Sequence, residues 1–121
     1  MSDQDRQPTR HHLEVTQRAA RDLRKIEKPQ RLRLREAMDR LVQIPPPGNL
    51  DIETISGHHP FIRFRVGNWR IIYRPLSPRE MQMLVMQRGT LCSTTGFLIE
   101  RIVDRQYLER VVATLELVEL Q

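Results

Sequence analysis

The chain has 121 residues, enough for one small domain with a single apolar core and little left over for a second. One cysteine excludes an internal disulfide framework, no CxxC or Cys/His cluster points to zinc, and no apolar run reaches signal or membrane length; a cytoplasmic protein with no metal, no cofactor and no membrane contact is expected. Twenty basic residues against fifteen acidic ones give a net charge of +5, which favours a polyanionic partner, and all but Lys25 and Lys28 are arginine, whose planar fork matches phosphate.

Residues 1–10 are polar and without apolar period, so they read as a disordered arm before a single domain over 11–121. His11 to Val15 can form a short strand. Thr16 is then placed to cap a helix in which Ala19, Ala20, Leu23 and Ile26 recur along one side. Pro29 breaks that helix and opens a second from about Gln30 to Gln43, with Leu32, Leu34, Ala37, Met38, Leu41 and Val42 expected inward. The run Pro45-Pro46-Pro47-Gly48-Asn49 ends it. Residues 51–56, DIETIS, form a candidate strand.

The most informative stretch follows, FIRFRVGNWRIIYR from Phe61 to Arg74. Successive residues of a strand point to opposite faces, so Arg63 and Arg65 separate from Ile62, Phe64 and Val66. Gly67-Asn68 suits a two-residue hairpin turn of the primed type, and the returning strand sends Trp69, Ile71 and Tyr73 one way and Arg70, Ile72 and Arg74 the other. Four arginines on a half-buried sheet are costly unless a partner supplies negative charge. Residues 77–96 look like an insertion: Met81 to Met86 as a further strand, then a turn-rich segment, with hairpin and unstructured insert both open. Phe97 to Val103 resumes a strand pattern, DRQYLERVVATLELVEL closes as a short helix, and its LELVEL end fits helix or added strand equally. This order is α+β, with helices on one face of a mainly antiparallel sheet.

RVGNWRIIYR resembles the central signature of the RelE/ParE superfamily of type II toxins, whose members commonly read R-V-G-x-aromatic-R-[IV]-[IL]-Y. The resemblance implies a RelE-like fold: an N-terminal helical hairpin on one face of a small twisted sheet, the other face concave and basic, with a short C-terminal helix. It implies a cognate antitoxin as partner. Ribonuclease members cut messenger RNA on the ribosome without metal, through attack of a ribose 2′-hydroxyl on the adjacent phosphate; guanidinium groups steady the charge that gathers there. On this pattern Arg70 matches the signature arginine and Arg105, in IERIVDRQYLER, the second phosphate-contacting group, with Arg88 as a rival nearer in sequence. Arg63, Arg65, Arg74 and Arg101 are expected to bind RNA. Glu53 resembles an acidic residue of some ribosome-dependent relatives and is the candidate base, since arginine stays protonated at any working pH; His58 and His59 are alternatives. His11 and His12 have no partners for a metal site, and Cys92 has no nucleophile's context.

Two departures stand out. Phe61 occupies a place where a lysine is common, and the late aromatic residue is missing: Leu108, Glu109 and Val111 hold that neighbourhood, with Tyr107 too early. These favour the second function the superfamily implies, a ParE-type toxin that blocks DNA gyrase without cutting RNA. The arginines favour the ribonuclease. A third alternative is a non-toxic basic RNA-binding module of the same fold.

Overall fold

A strand, two amphipathic helices and a run of strands assemble in the computed structural model, which describes residues 8–121. In chain order the elements are β1 (His12–Val15), α1 (Gln17–Arg24), α2 (Lys28–Leu41), β2 (Ile52–Thr54), β3 (Ile62–Val66), β4 (Trp69–Pro75), α3 (Pro78–Arg88), β5 (Gly96–Asp104) and α4 (Leu108–Val112), the last entered through a 3₁₀ turn at Arg105–Tyr107. The strands form one sheet in the order β1-β5-β4-β3-β2. Only the β1 to β5 pairing is parallel; the others are antiparallel. This is the α+β order expected, with a mainly antiparallel sheet. No helix among the described residues is long and apolar enough to cross a membrane.

Thr16 caps α1 by accepting a hydrogen bond from the Ala19 amide at 3.0 Å, and Pro29 stands in the first turn of α2, where its missing N–H costs nothing. Leu34, Ala37, Met38 and Leu41 of α2 join Ala19 and Ile26 against Phe64, Val66, Ile71, Tyr73, Ile99 and Ile102 of the sheet. Leu32 is a correction: it is 50 % exposed, because a helix that turns Leu34 inward carries a residue two places earlier to its far side. Residues 1–7 of the expected arm lie outside those described, while Thr9 and Arg10 are held. The Thr9 carbonyl accepts from Ile44 N at 2.9 Å, and Arg10 bridges Gln43 and reaches Asp39 at 3.3 Å.

The second sheet face is not bare. Near its middle, α4 lays Val111, with Leu108, Val112 and Leu115 beside it, over Phe61, Ile72 and Val103. At the far end α3 lays Met81 and Leu84 over Leu76 and Leu98. The strand expected at Met81–Met86 is therefore a helix. Its start is coded by Ser77 and Glu80, which form a capping box, with Pro78 in the first turn; Met81 and Leu84 then share one helical side while Met86 is exposed. Helix α4 stops at Val112, and LELVEL forms neither helix nor strand.

That tail is fastened by a buried ion pair. The Arg74 guanidinium donates to both Glu80 oxygens at 2.8 Å, to Glu100 Oε1 at 3.4 Å and to the Val118 carbonyl at 3.1 Å. Glu80 also accepts from the Leu120 amide at 2.9 Å and the Ser77 amide at 2.9 Å. Burial by itself would raise the Glu80 carboxyl, but the bonds from Arg74, Leu120 and Ser77 outweigh it and bring the pKa down to about 2. Glu100, with a weaker hold on Arg74, is left raised by burial. Because folded Glu80 ionises below its ordinary value of 4.5, its stabilisation is complete above that pH and is lost as pH falls toward about 2. Glu80→Gln should lower unfolding free energy by about 3 kcal/mol or more, the cost of stranding one member of a buried pair. Denaturation series between pH 4.5 and 2 should also show a flatter acid limb for that variant than for the parent.

Candidate functional site

Hairpin register decides which arginines meet. Arg65 on β3 lies directly opposite Arg70 on β4, and Arg63 lies opposite Ile72. Their neighbours Phe64, Val66 and Ile71 are committed to the helical layer, so these arginines must face away from it. The turn between the strands has positive φ at Gly67 (+59°) and at no non-glycine residue, which fits a type II′ turn. Arg105 arrives from β5: its amide donates to the Asn68 carbonyl at 2.8 Å, which fixes the residue beside the turn.

Arg70 is 9 % exposed and is held by backbone rather than by a carboxylate. Its Nη1 donates to the carbonyls of Gly67 at 2.9 Å and Trp69 at 3.0 Å. Burial lowers its pKa first, and the charges of Arg65, Arg63 and Arg105 lower it further, against a smaller raising influence from Asp51. Four guanidinium groups thus share one end of one sheet face. Arg65 and Arg105 are exposed, and among the described residues neither forms an ion pair. Glu53 is brought alongside, because it opposes Arg63 across the β2–β3 ladder. Its Oε2 accepts from Arg63 at 2.6 Å while the side chain stays 71 % exposed. Asp51, two residues earlier on the same side, lies 3.6 Å from Arg63.

Other expected residues are elsewhere. Arg74 is only 2 % exposed and saturated by Glu80 and Glu100, so RNA cannot reach it; strand alternation put it on the right face, but α3 and the tail cover that part. Arg101 donates to Asp22 through Nε at 2.8 Å and Nη2 at 3.1 Å, and the same carboxylate accepts from the Ile102 amide at 3.0 Å; it ties α1 to the sheet instead of offering a phosphate contact. Arg88 ends α3 and pairs with Glu14 on β1, at the sheet edge opposite to β2 and β3. His58 and His59 lie on the turn before β3, whereas Arg65 and Arg70 lie at its other end. The arginine patch is open: a cavity of about 540 Å³ lies apart from it, between Thr16, Leu98, Glu100 and the tail. Among the described residues no group of three or more His, Cys, Asp or Glu could hold a metal ion.

Two participants escaped the linear pattern. Asp51 had a signal, its two-residue spacing from Glu53, which puts both carboxylates on one strand face. Arg33 of α2 had none among so many helical arginines, yet its guanidinium lies against Gly67.

Comparison with known proteins places this architecture among the RelE-like toxins. The chain superposes, with a TM-score of 0.51 and 19 % identity over 79 % of its own length and 94 % of the other chain, on a chain of the crystal structure of the RelB-RelE antitoxin-toxin complex from Methanococcus jannaschii. The family described as ParE toxin of type II toxin-antitoxin system, parDE, matches residues 13–86, more than half of the chain, and the protein belongs to it. No curated protein matches the chain. It is thus a type II toxin; Glu53, Arg63, Arg65 and Arg70 fall inside the matched region and Arg105 beyond it.

Like charges facing each other across a strand pair are destabilising by roughly 0.2–1 kcal/mol. Arg65→Gln should therefore stabilise the fold by that order at low ionic strength, and the gain should shrink as added salt screens the patch. Chemical denaturation of both proteins at two salt concentrations measures this.

Proposed function

We propose that this toxin is an endoribonuclease that cuts messenger RNA on the ribosome. The observation that carries the proposal is the convergence of Arg63, Arg65, Arg70 and Arg105 on one end of the sheet, with Arg70 aligned by backbone carbonyls and, among the described residues, paired with no carboxylate. In the reaction the ribose 2′-oxygen forms a bond to the adjacent phosphorus as the bond to the 5′-oxygen breaks, leaving a 2′,3′-cyclic phosphate and a 5′-hydroxyl. Charge accumulates on the non-bridging oxygens meanwhile. Arg70 and Arg105 stabilise it: the Arg70 guanidinium is aligned beforehand by the Gly67 and Trp69 carbonyls and needs little reorganisation, while Arg105, anchored at the turn by its backbone amide, brings an exposed guanidinium to the same end. Arg65, exposed and without an ion pair among the described residues, holds a flanking phosphate, whereas Arg63 is engaged by Glu53 and Asp51 and adds positive charge beside it. Glu53 takes the 2′-hydroxyl proton, its carboxylate held by Arg63, and the departing 5′-oxygen takes its proton from solvent water. A cytoplasmic location and a cognate antitoxin, an acidic and partly disordered chain that folds onto the basic face, belong to this reading.

A second reading, inhibition of DNA gyrase, is favoured by the parDE description of the matching family and by Phe61, which is buried under α4 where a ribonuclease would expose a lysine. Induced expression with mapping of transcript ends separates the two. Cuts inside translated codons are expected here, whereas gyrase-dependent DNA damage with intact transcripts would reject the ribonuclease. Arg70→Ala and Arg105→Ala should each lower cleavage by about 100-fold to 1000-fold, the usual cost of one preorganised charge-stabilising donor, while antitoxin binding is retained.

A further inference from the structure

The hairpin turn is gripped from two sides. Arg70 donates to the Gly67 carbonyl from the sheet, and the Arg105 amide donates to the Asn68 carbonyl. From the helical layer comes Arg33. A Cβ built on Gly67 would meet Arg33 Nη1 at 3.2 Å, Cζ at 3.3 Å and Nη2 at 3.3 Å. Three atoms of one planar group at nearly equal distance mean that the guanidinium lies flat on the glycine, in a space that any side chain at that position would occupy. Gly67 is favoured by its positive φ, and its lack of a side chain lets the Arg33 guanidinium come this close.

Arg33 remains exposed, and among the described residues no carboxylate pairs with it. The other arginines that the fold uses as struts, Arg74, Arg88 and Arg101, all end on acids. Arg33 instead stands exposed beside a turn that already carries Arg65, Arg70 and Arg105. A guanidinium stacked in this way has lost much of its rotamer freedom before any ligand arrives, so an anion that binds it loses less entropy than it would on a free side chain.

We infer that Arg33 is a further phosphate-binding residue, which carries the cationic patch around the hairpin tip from the sheet onto α2 and holds the sugar-phosphate backbone of a single-stranded RNA beyond the scissile phosphate. The inference deepens the ribonuclease reading and rests on it. Arg33 sits on the opposite side of the turn from the reacting group, so it contributes to binding and not to the chemical step.

The test uses a fluorescent single-stranded 2′-O-methyl oligoribonucleotide, which has no nucleophile and cannot be cut, and measures affinity by anisotropy across a salt series. Each phosphate contact on a single strand contributes about 0.7 to the slope of log affinity against log salt. Arg33→Ala should reduce the slope by about that amount, Arg33→Lys should restore it, and Arg35→Ala, an exposed neighbour on α2, should leave it unchanged. On messenger RNA carried by translating ribosomes Arg33→Ala should raise KM and leave kcat near the parent value. A slope unchanged in Arg33→Ala, with the parent protein binding normally, would overturn the inference and leave the ribonuclease reading standing. A loss that Lys does not restore, accompanied by a lower unfolding midpoint, would show Arg33 to be a packing pad on the turn and also overturn it. If the parent protein itself shows no salt-dependent binding of the free strand, the inference is overturned; the ribonuclease reading fails only if transcripts on translating ribosomes also stay uncut.

Discussion

The β3–β4 hairpin has one face that it cannot give up. Phe64, Val66, Ile71 and Tyr73 supply the hairpin's share of the main core, and Ile71 is wholly buried. A slip of one residue in the pairing would exchange that set for Arg63, Arg65, Arg70 and Arg74 and drive guanidinium groups under α1 and α2, where a buried unpaired charge is prohibitive. Register is thereby locked by the apolar face, and the arginines are presented together as a consequence. The site is a by-product of the core's demands, made usable by a turn that folds Arg70 back onto its own backbone.

Two populations of arginine result, and they do different work. Arg74 and Arg101 have carboxylates that raise their pKa values and tie distant parts together: Arg74 joins β4 to α3, β5 and the tail, and Arg101 joins β5 to α1. Arg70 is lowered instead, by burial and then by like charges. The first kind stabilises the fold, and the second is held against its own repulsion. Such local conflict is a common mark of functional surfaces, and it supports the proposal that this one binds an anion.

Cover on the second sheet face shapes what that anion can be. Among the described residues α4 and Leu115 lie over Ile72 and Val103, and α3 with Leu120 over Leu98, while the turn end of the face carries the exposed Arg65 and Arg105. The basic patch is consequently short along the strands and can extend only around the hairpin tip. An extended backbone crossing the tip suits it better than a small molecule that needs enclosure.

Periodicity and turn chemistry were legible in the linear chain wherever the physics is local. Thr16 capping α1, Pro29 opening α2, the glycine turn and the alternation that separates Arg63, Arg65 and Arg70 from Phe64, Val66 and Ile71 depend on a few neighbouring residues. The capping box at Ser77 and Glu80 was equally local, and the strand expected there overlooked it because Met81 to Met86 is apolar enough to fit either period. What the linear chain could not decide was which cations are spent on carboxylates. Arg74 and Arg101 differ from Arg70 and Arg105 in no neighbouring signal; they differ because Glu80, Glu100 and Asp22 are brought to the first pair, from up to 79 positions away in the case of Arg101, and to neither of the second. Pairing of that range is settled by the packing of whole elements, and with it the position of the site.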